Sequence, residues 1–240
     1  MGQFLPMRLL QFSTSHYCRK ARLGLGFKQM TYAVENLTPG LHALKVKPLT
    51  GLTTLPVLLP ETEGLPQAIA DSTRILKFLE TYCPEPALLP PEDSLQREIW
   101  SLEDWLDESI GVATRFVYYD FRAKAGKHLD PSLSSQVVIQ IVRRQYGMTP
   151  ARVQLAAERL DTALAFLEQR WQPGVWLVGD RFTVADLTAA ALLSPLARIP
   201  NYRAQYPWLF EQIVRVHQLC GETLPPGLEP SDGAHDPLTA

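Results

Sequence analysis

The stretch FTVADLTAAALL, residues 182–193, is almost wholly apolar after Asp186. A helix with apolar side chains all round is expected to be buried all round. Its beginning fits a variant capping box, in which Thr183 caps the first turn, Asp186 reaches back to it, and Phe182 can pack against Leu187. The stretch therefore predicts the buried helix of a helical domain, whose first turn needs its own hydrogen bonds because water cannot reach it.

Amphipathic helical runs stand before and after this buried helix. The spacing of their apolar side chains predicts helices in residues 94–122, 137–147, 151–171 and 207–219. The proline-rich stretch CPEPALLPPED, residues 83–93, cannot continue a helix and suits an exposed connector. We therefore predict a first domain over residues 7–83, a linker over 84–92, an all-helical domain over 93–220 and a flexible C-terminal tail over 221–240.

The first half of the chain alternates strand-like and helical patterns. Short apolar runs predict strands in residues 8–15 and 30–37 and a β-hairpin around the polar loop 61–64. A helix is expected behind Asp71 and Ser72. The predicted order is β-α-β-loop-β-β-α, and the loop region can hold a short helix.

The first helix of this domain is predicted to be amphipathic. Ala21 and Leu25 recur at helical spacing, while Arg19, Lys20 and Arg22 fall on another face.

Composition narrows the class of partner. The chain has 23 Lys and Arg against 25 Asp and Glu, so its charge gives no reason to expect nucleic acid or a charged membrane. A small-molecule partner is expected instead. Cys18, Cys83 and Cys220 are widely spaced without CxxC pairs, which predicts neither a disulfide framework nor a metal site. Since no apolar run is long enough for a signal core or a membrane span, we expect a cytoplasmic protein.

The segment Ser15-His16-Tyr17-Cys18 stands where the first predicted strand ends and a helix begins. Amide groups at a helix start favour negative charge, so the Ser15 hydroxyl and the helix start could together hold a thiolate. Two simpler interpretations stay open. Serine is a common helix N-cap, and Cys18 can be an inert thiol on the inner face of the helix.

The Leu55-Pro56 step opens an apolar strand. A cis bond here would turn the Leu55 backbone outward, where its N–H and C=O groups could pair with an extended peptide ligand. An ordinary trans proline at the start of a strand explains the same residues.

The pair Asp71-Ser72 stands at a second strand-to-helix junction. The helix start and the Ser72 hydroxyl can bind a carboxylate while Asp71 meets an ammonium group, which would suit the end of an α-amino acid. A plain N-cap is the alternative.

Taken in order, FSTSHYCRKARLGL, TTLPVLL, ADSTRILKFLE and VGDRFTVADLTAAALL resemble the glutathione transferase superfamily over about residues 8–220. The resemblance is to the cytosolic type with a catalytic serine or cysteine turn. It implies an N-terminal thioredoxin-like α/β domain followed by a C-terminal helical bundle. It places Ser15 at the catalytic position, with His16 where proline is frequent, and Cys18 at the second cysteine of the glutaredoxin-like form.

The same resemblance implies glutathione as co-substrate and no metal. Leu55, before a cis Pro56, would bind the cysteinyl backbone of glutathione, and Asp71 and Ser72 would hold its γ-glutamyl end.

Further positions follow less directly from the resemblance. Lys45 or Lys47 could meet the glycyl carboxylate of glutathione. The second substrate would lie against the helical domain, where each candidate wall residue can equally be part of the core. These candidates are Trp105, Phe116, Tyr119 and Tyr146.

One leading hypothesis and two alternatives follow. The leading one is a homodimeric detoxification enzyme in which Ser15 stabilises the glutathione thiolate for attack on a small apolar electrophile. The first alternative is glutathione-dependent thiol-disulfide exchange through Cys18, which requires a sulfur that faces the pocket and has a low pKa. The second is a glutathione-binding or scaffolding protein without turnover.

Overall fold

The N-terminal domain is a four-stranded sheet with three helices. The computed structural model describes residues 7–229. The strands are β1 Arg8–Gln11, β2 Ala33–Asn36, β3 Val57–Leu59 and β4 Ile69–Ala70, and the helices are α1 His16–Phe27, α2 His42–Thr50 and α3 Ser72–Tyr82. The order β-α-β-loop-β-β-α is confirmed, and the loop region contains α2.

The sheet has the strand order β2-β1-β3-β4. Strand β1 runs parallel to β2 and antiparallel to β3, and β4 is antiparallel to β3. Leu9 and Leu58 pair across β1 and β3, and both are fully buried, packed with Ala21 and Leu25 of α1.

The C-terminal domain is helical throughout, as expected. Its helices are α4 Asp93–Asp104, α5 Gly111–Ala123, α6 Leu133–Gln145, α7 Pro150–Arg170, α8 Val184–Leu193, α9 Pro200–Gln205 and α10 Pro207–Leu219. A π-helical segment, Trp105–Ile110, joins α4 directly to α5. This segment lies inside the run that the sequence predicts as one regular helix.

Helix α8 is the buried helix that the apolar stretch predicts, since all ten of its residues are buried. Asp186 accepts hydrogen bonds from the Thr183 amide at 3.0 Å, from the Thr183 hydroxyl at 2.9 Å and from the Leu177 amide at 2.8 Å. The Thr183 hydroxyl accepts from the Ala185 amide at 3.3 Å. The capping box is confirmed, and the same carboxylate also holds the preceding loop.

Helix α1 differs from its prediction. Its Ala21 and Leu25 pack on the sheet as expected, but Arg19, Lys20 and Arg22 are only 6%, 0% and 8% exposed. The helical domain, with α8 directly against α1, covers the face that the sheet leaves open. The polar face of this amphipathic helix is therefore an interface between the two domains and not a solvated surface.

Two glycines let α1 approach its neighbours closely. A Cβ atom at Gly26 would lie 2.2 Å from the carbonyl oxygen of Cys220, and one at Gly24 would lie 2.3 Å from Leu76 Cδ2. Both distances are far below van der Waals contact, so any larger residue requires a shift of the helix or of its neighbour.

The connector between α3 and α4 is more buried than an exposed linker. Leu88 is fully buried, and its carbonyl accepts a hydrogen bond from the Val184 amide at 3.2 Å. The Lys28 ammonium donates to the carbonyls of Pro84 at 3.1 Å and Pro86 at 2.7 Å. The expectation of an exposed connector holds for residues 84–86 and 91–93, which are exposed, but Cys83, Leu88 and Pro90 are buried because the segment contacts both domains.

The beginning of the predicted tail packs against α1. Glu222 forms an ion pair with Arg22 at 2.7 Å, and the Thr223 carbonyl accepts from Arg19 at 3.4 Å. Residues 221–229 are therefore docked, contrary to the expectation of a free tail. The rest of that predicted tail, residues 230–240, lies outside the described residues.

Between residues 7 and 229, none of the helices combines the length and apolar character needed to cross a membrane.

Candidate functional site

Three short segments meet at one edge of the sheet. Val57 pairs with Leu10 of β1 on one side and with Ala70 of β4 on the other. The end of β1, the start of β3 and the end of β4 therefore lie side by side. The Asp71 amide also donates to the Pro56 carbonyl at 3.3 Å. The sheet thus brings together the three predicted motifs, at Ser15, Leu55-Pro56 and Asp71-Ser72.

Ser15 is the N-cap of α1. It follows β1 through a tight turn, in which its amide donates to the Phe12 carbonyl at 3.1 Å. Its Oγ accepts from the Cys18 amide at 3.4 Å, and the hydroxyl also lies close enough to the Cys18 thiol to act on its pKa, which burial raises and Ser15 lowers. A hydroxyl can rotate, so the half-buried Ser15 side chain can cap the helix and turn its O–H toward a ligand at the helix start.

Cys18 does not meet the conditions for thiol-disulfide exchange. Its side chain is fully buried, and this burial raises the pKa of its thiol. A thiol that is protonated and inaccessible is neither a nucleophile nor a leaving group. Its assignment as a catalytic residue is therefore wrong, and the inert thiol on the inner face of α1 is what the structure contains.

The Leu55-Pro56 bond is cis. Leu55 is half-buried, and its N–H and C=O groups form no hydrogen bond with any residue from 7 to 229. An extended ligand chain can pair with backbone groups of this kind.

Asp71 caps α3 and leaves part of its carboxylate unused. Its Oδ1 accepts from the Thr73 amide at 2.9 Å and the Arg74 amide at 3.1 Å. Its Oδ2 has no partner within the described chain, and its φ of 80° turns the backbone sharply at the end of β4. Ser72 is 1% exposed, and its hydroxyl has no partner among the described residues. A buried hydroxyl without a partner is costly, and a carboxylate at the start of α3 would supply one.

Neither predicted lysine forms a hydrogen bond or ion pair with the other predicted site residues among residues 7–229. Lys45 pairs with Glu35 of β2 on the surface, and Lys47 is exposed on α2. The α2 side chain that reaches the edge is His42, whose ring lies 4.8 Å from the Phe12 ring and 3.0 Å from the Thr53 carbonyl. Nothing in the local pattern distinguishes this histidine, because its position depends on how α2 packs.

The first turn of α1 also contacts the helical domain. The Tyr17 hydroxyl donates to the Asp107 carbonyl in the π-helical segment at 2.8 Å, and His16 Nε2 lies 3.2 Å from the Gly111 carbonyl. Burial, with Arg115 nearby as the second cause, lowers the pKa of His16 to about 3. His16 therefore stays neutral near pH 7 and docks the domains at the position where the family often has proline.

These contacts show which side of α4 and α5 faces the site. Asp107 and Gly111 point toward α1, whereas Trp105 lies two residues earlier and packs edge-on against Phe166 of α7 at 5.6 Å. The prediction of Trp105 as a pocket wall is not supported, because a position two residues before Asp107 lies on nearly the opposite side of a helix.

Phe116 likewise packs against the helical core. Tyr119, in contrast, lies close enough to Arg115 and Tyr146 for both to act on the pKa of its phenol, which burial raises.

Arg115 is a charged residue on this side of α5 that no sequence pattern singled out. Its guanidinium lies 4.9 Å from the ring centre of Tyr17 and 4.4 Å from that of Tyr146. It thus links α1 to the region that follows α6. An arginine in an amphipathic helix is usually solvated, so no local signal marks it.

A buried charge cluster supports the start of α3 from behind. The fully buried Lys20 donates to the Thr73 hydroxyl at 2.9 Å and forms ion pairs with Glu103 and Asp107. Burial raises the pKa of Asp107 to about 6, despite the attraction of Lys20. The cluster joins α1, α3 and the α4 region. It contacts α3 at Thr73, one residue after Ser72.

Two surface grooves lie away from this edge. One is lined by Asp93, Gln96, Arg97, Trp100, Ser101 and Asp104 of α4. The other surrounds the β3–β4 turn, residues 61–67, with Leu49 and Leu59. Neither contains a predicted site residue. Within residues 7–229, no group of three or more His, Cys, Asp or Glu side chains is arranged to hold a metal ion.

Two family models match the chain. The N-terminal domain of glutathione S-transferase matches residues 9–87, and the C-terminal domain of glutathione S-transferase matches residues 150–211. Together they cover more than half of the sequence. A comparison with curated proteins gave no match.

Solved structures share the whole architecture. A glutathione S-transferase from Rhodospirillum rubrum is 23% identical with a TM-score of 0.67, over 92% of this chain and 94% of that chain. One from Methylobacterium radiotolerans, in complex with glutathione sulfonate, is 24% identical with a TM-score of 0.65, over 92% and 95%. The beta-etherase LigF from a Sphingobium species is 19% identical with a TM-score of 0.69, over 92% and 96%. These likenesses establish the fold, and with the two family models they show that the chain belongs to the glutathione S-transferase superfamily.

Proposed function

We propose that this protein conjugates glutathione to a small electrophile, with Ser15 donating a hydrogen bond to the glutathione sulfur. The thiolate attacks an electrophilic carbon, a C–S bond forms, and the leaving group departs with the bonding electrons. Catalysis in this scheme consists of thiolate stabilisation and positioning.

The observation that carries the proposal is the meeting of three open groups at one sheet edge. These groups are the Ser15 hydroxyl, the unpaired backbone of Leu55 and the unpaired Ser72 hydroxyl at the start of α3. In that order they suit a thiolate, an extended peptide backbone and an α-carboxylate. The free Oδ2 of Asp71 suits the ammonium group beside that carboxylate.

The amides at the start of α1 add to the effect of Ser15. A free thiol has a pKa of about 8.5, and a helix start together with a hydrogen-bond donor lowers such a value. The buried, neutral His16 does not compete for the sulfur proton, because its ring faces the helical domain.

Glutathione binding is the first test. Calorimetry on the wild type and a Ser72→Ala variant should show a loss of about 1–3 kcal/mol of binding free energy in the variant. Ser94→Ala is the matched control, since Ser94 is exposed on α4 and its hydroxyl makes no hydrogen bond with the described residues. Equal affinity in both variants and the wild type would overturn the role of Ser72.

A measurement of turnover tests the proposed role of Ser15. Ser15→Ala should lower kcat by about tenfold or more with little change in glutathione affinity, because the hydroxyl matters most when the sulfur is charged. Unchanged kcat would overturn its role. Glutathione binding without turnover of any electrophile would instead indicate a binding module.

We further propose, from the family alone, a cytoplasmic homodimer that detoxifies electrophiles. Sedimentation of the purified protein measures the oligomeric state directly. A monomer at micromolar concentration would contradict the dimer and leave the glutathione site untouched.

A further inference from the structure

Arg115 is unusual among the charged groups near the site. It is half-buried on α5, and it forms neither an ion pair nor a hydrogen bond with any residue from 7 to 229. The next arginine on α5, Arg122, donates to the hydroxyls of Tyr118 and Ser135. The N–H donors of Arg115 are therefore available, although the side chain has already lost part of its water.

Two aromatic rings fix the position of this guanidinium. It lies between Tyr17 and Tyr146, at 4.9 Å and 4.4 Å from their ring centres. Stacking on ring faces leaves the edge of the planar group, which carries the N–H donors, free for a ligand. A guanidinium held in this way loses less conformational entropy when it binds.

The group also stands close to the proposed reaction centre. Tyr17 is two residues after Ser15, and Gly111, one helical turn before Arg115, lies 3.2 Å from His16 Nε2. Arg115 is thus on the helical-domain side of the α1 start, where the second substrate would lie.

The acidic side chains nearby do not neutralise Arg115. Asp107 is paired with the buried Lys20. Glu108 is exposed and makes no ion pair with Arg115; burial, together with Asp107 and Glu108, raises the pKa of the Tyr17 phenol. The guanidinium of Arg115 therefore has no carboxylate partner among residues 7–229.

We propose that the electrophile conjugated by this enzyme carries a carboxylate, which Arg115 binds, on an aromatic body that packs among Tyr17, Tyr119 and Tyr146. An arginine and a carboxylate form two parallel charge-assisted hydrogen bonds, which fix the orientation of the substrate. Arg115 is then the specificity-determining residue, and the expected wholly apolar electrophile is replaced by an amphipathic one. This inference rests on the proposed conjugation.

The test compares two electrophiles that differ in one group. They are a chlorodinitrobenzoate and the chlorodinitrobenzene of the same ring pattern without the carboxylate. In both, the glutathione sulfur forms a bond to the ring carbon and chloride leaves. The measured quantity is the ratio of their kcat/KM values, because this ratio cancels any general loss of activity.

Arg115→Gln should lower that ratio about tenfold or more relative to the wild type, and Arg115→Lys should lower it less, since it keeps the charge but not the planar fork. Arg159→Gln on the exposed face of α7 is the control and should leave the ratio unchanged. An unchanged ratio in Arg115→Gln would overturn the proposal. So would a loss of glutathione affinity in that variant, because Arg115 would then belong to the glutathione site.

A binding measurement separates this inference from the conjugation itself. With glutathione at saturation, the unreactive dinitrobenzoate should bind the wild type more tightly than dinitrobenzene does, and Arg115→Gln should remove the preference. If the wild type conjugates neither electrophile but shows this preference, the conjugation proposal fails and the anion site at Arg115 stands. If the wild type shows no preference, the anion site is overturned.

Discussion

Helices α1 and α8 pack against each other and are both buried, yet they are built from opposite kinds of residue. Helix α8 is apolar along its length, and its one carboxylate, Asp186, bonds within its own first turn and the loop before it. Helix α1 carries Arg19, Lys20 and Arg22 into the interior.

The difference lies in where each helix finds its partners. Asp186 accepts its hydrogen bonds from residues at most nine positions away. Lys20 finds Glu103 and Asp107 more than 80 positions away, and Arg22 finds Glu222 some 200 positions away. A buried charge is tolerated only when it is paired, so α1 can be buried only in the complete fold. Burial that depends on local partners can be predicted from sequence, and burial that depends on distant ones cannot.

Lys20→Met should produce the largest loss. Glu103 and Asp107 would remain buried without their cation, and breaking a buried pair in this way costs about 3–5 kcal/mol. Denaturant unfolding followed by circular dichroism measures the change. Adding Glu103→Gln and Asp107→Asn should recover much of the loss. A Lys20→Met protein as stable as the wild type would show that α1 does not depend on these distant partners.

The loss of stability in the Lys20→Met variant should depend on pH. The pKa of Asp107 in the folded protein, about 6, lies above its ordinary value near 3.8, so the ionised carboxyl lowers stability and protonation restores it as the pH falls. Without Lys20 that pKa rises further. The difference in unfolding free energy between Lys20→Met and the wild type should therefore shrink from about pH 7.5 to about pH 5. A difference that grows over this range would contradict the assignment.

Asp186→Ala should produce a smaller loss, about 2–4 kcal/mol, because it leaves the Leu177 and Thr183 amides without acceptors but exposes no unpaired charge. Asp180→Ala, at an exposed position in the same loop, serves as control and should change stability by less than about 0.5 kcal/mol. Equal losses in the two variants would show that the capping box does not stabilise α8.

Gly26→Ala should cost about 1–3 kcal/mol, because its Cβ would meet the backbone carbonyl of Cys220, which cannot move alone. Gly24→Ala meets only the end of the Leu76 side chain, so its loss should be smaller. Thermal unfolding of the pair measures how tightly α1 is enclosed. A larger loss of stability in Gly24→Ala than in Gly26→Ala would place the tight contact of α1 at α3 and not at residue 220.

Cys18→Ala should have the smallest effect on function, with kcat and glutathione affinity within about twofold of the wild type, because the buried thiol takes no part in the chemistry. In the native protein, Cys18 should react with an alkylating reagent more than about tenfold slower than free cysteine. Mass spectrometry of the alkylated protein checks this. Rapid modification of Cys18 would restore thiol-disulfide exchange as a candidate reaction.

The residues of the candidate site fall into the same two classes as the partners of α8 and α1: some depend on near neighbours in the chain, and others depend on distant residues. Ser15, Leu55-Pro56 and Asp71-Ser72 could be predicted because each motif combines a strand end, a cap or a proline within a few residues. Trp105 was misplaced because the sequence alone does not show which side of the α4–α5 run faces α1, and Asp107 and Gly111 take that side. Arg115 was missed because its partners, Tyr17 and Tyr146, belong to other parts of the chain.

The sequence by itself determined the order of the elements, the apolar core of α8 with its capping box, and the three motifs at the sheet edge. Each of these depends on side-chain periodicity or on hydrogen bonds between near neighbours. Only the tertiary structure decided that α1 is buried with its charges, that the Cys18 thiol is buried, and that Arg115 lies between Tyr17 and Tyr146. The physical reason is that a charge is stable in the interior only beside its counter-charge or hydrogen-bond partner, and here those partners come from the other domain.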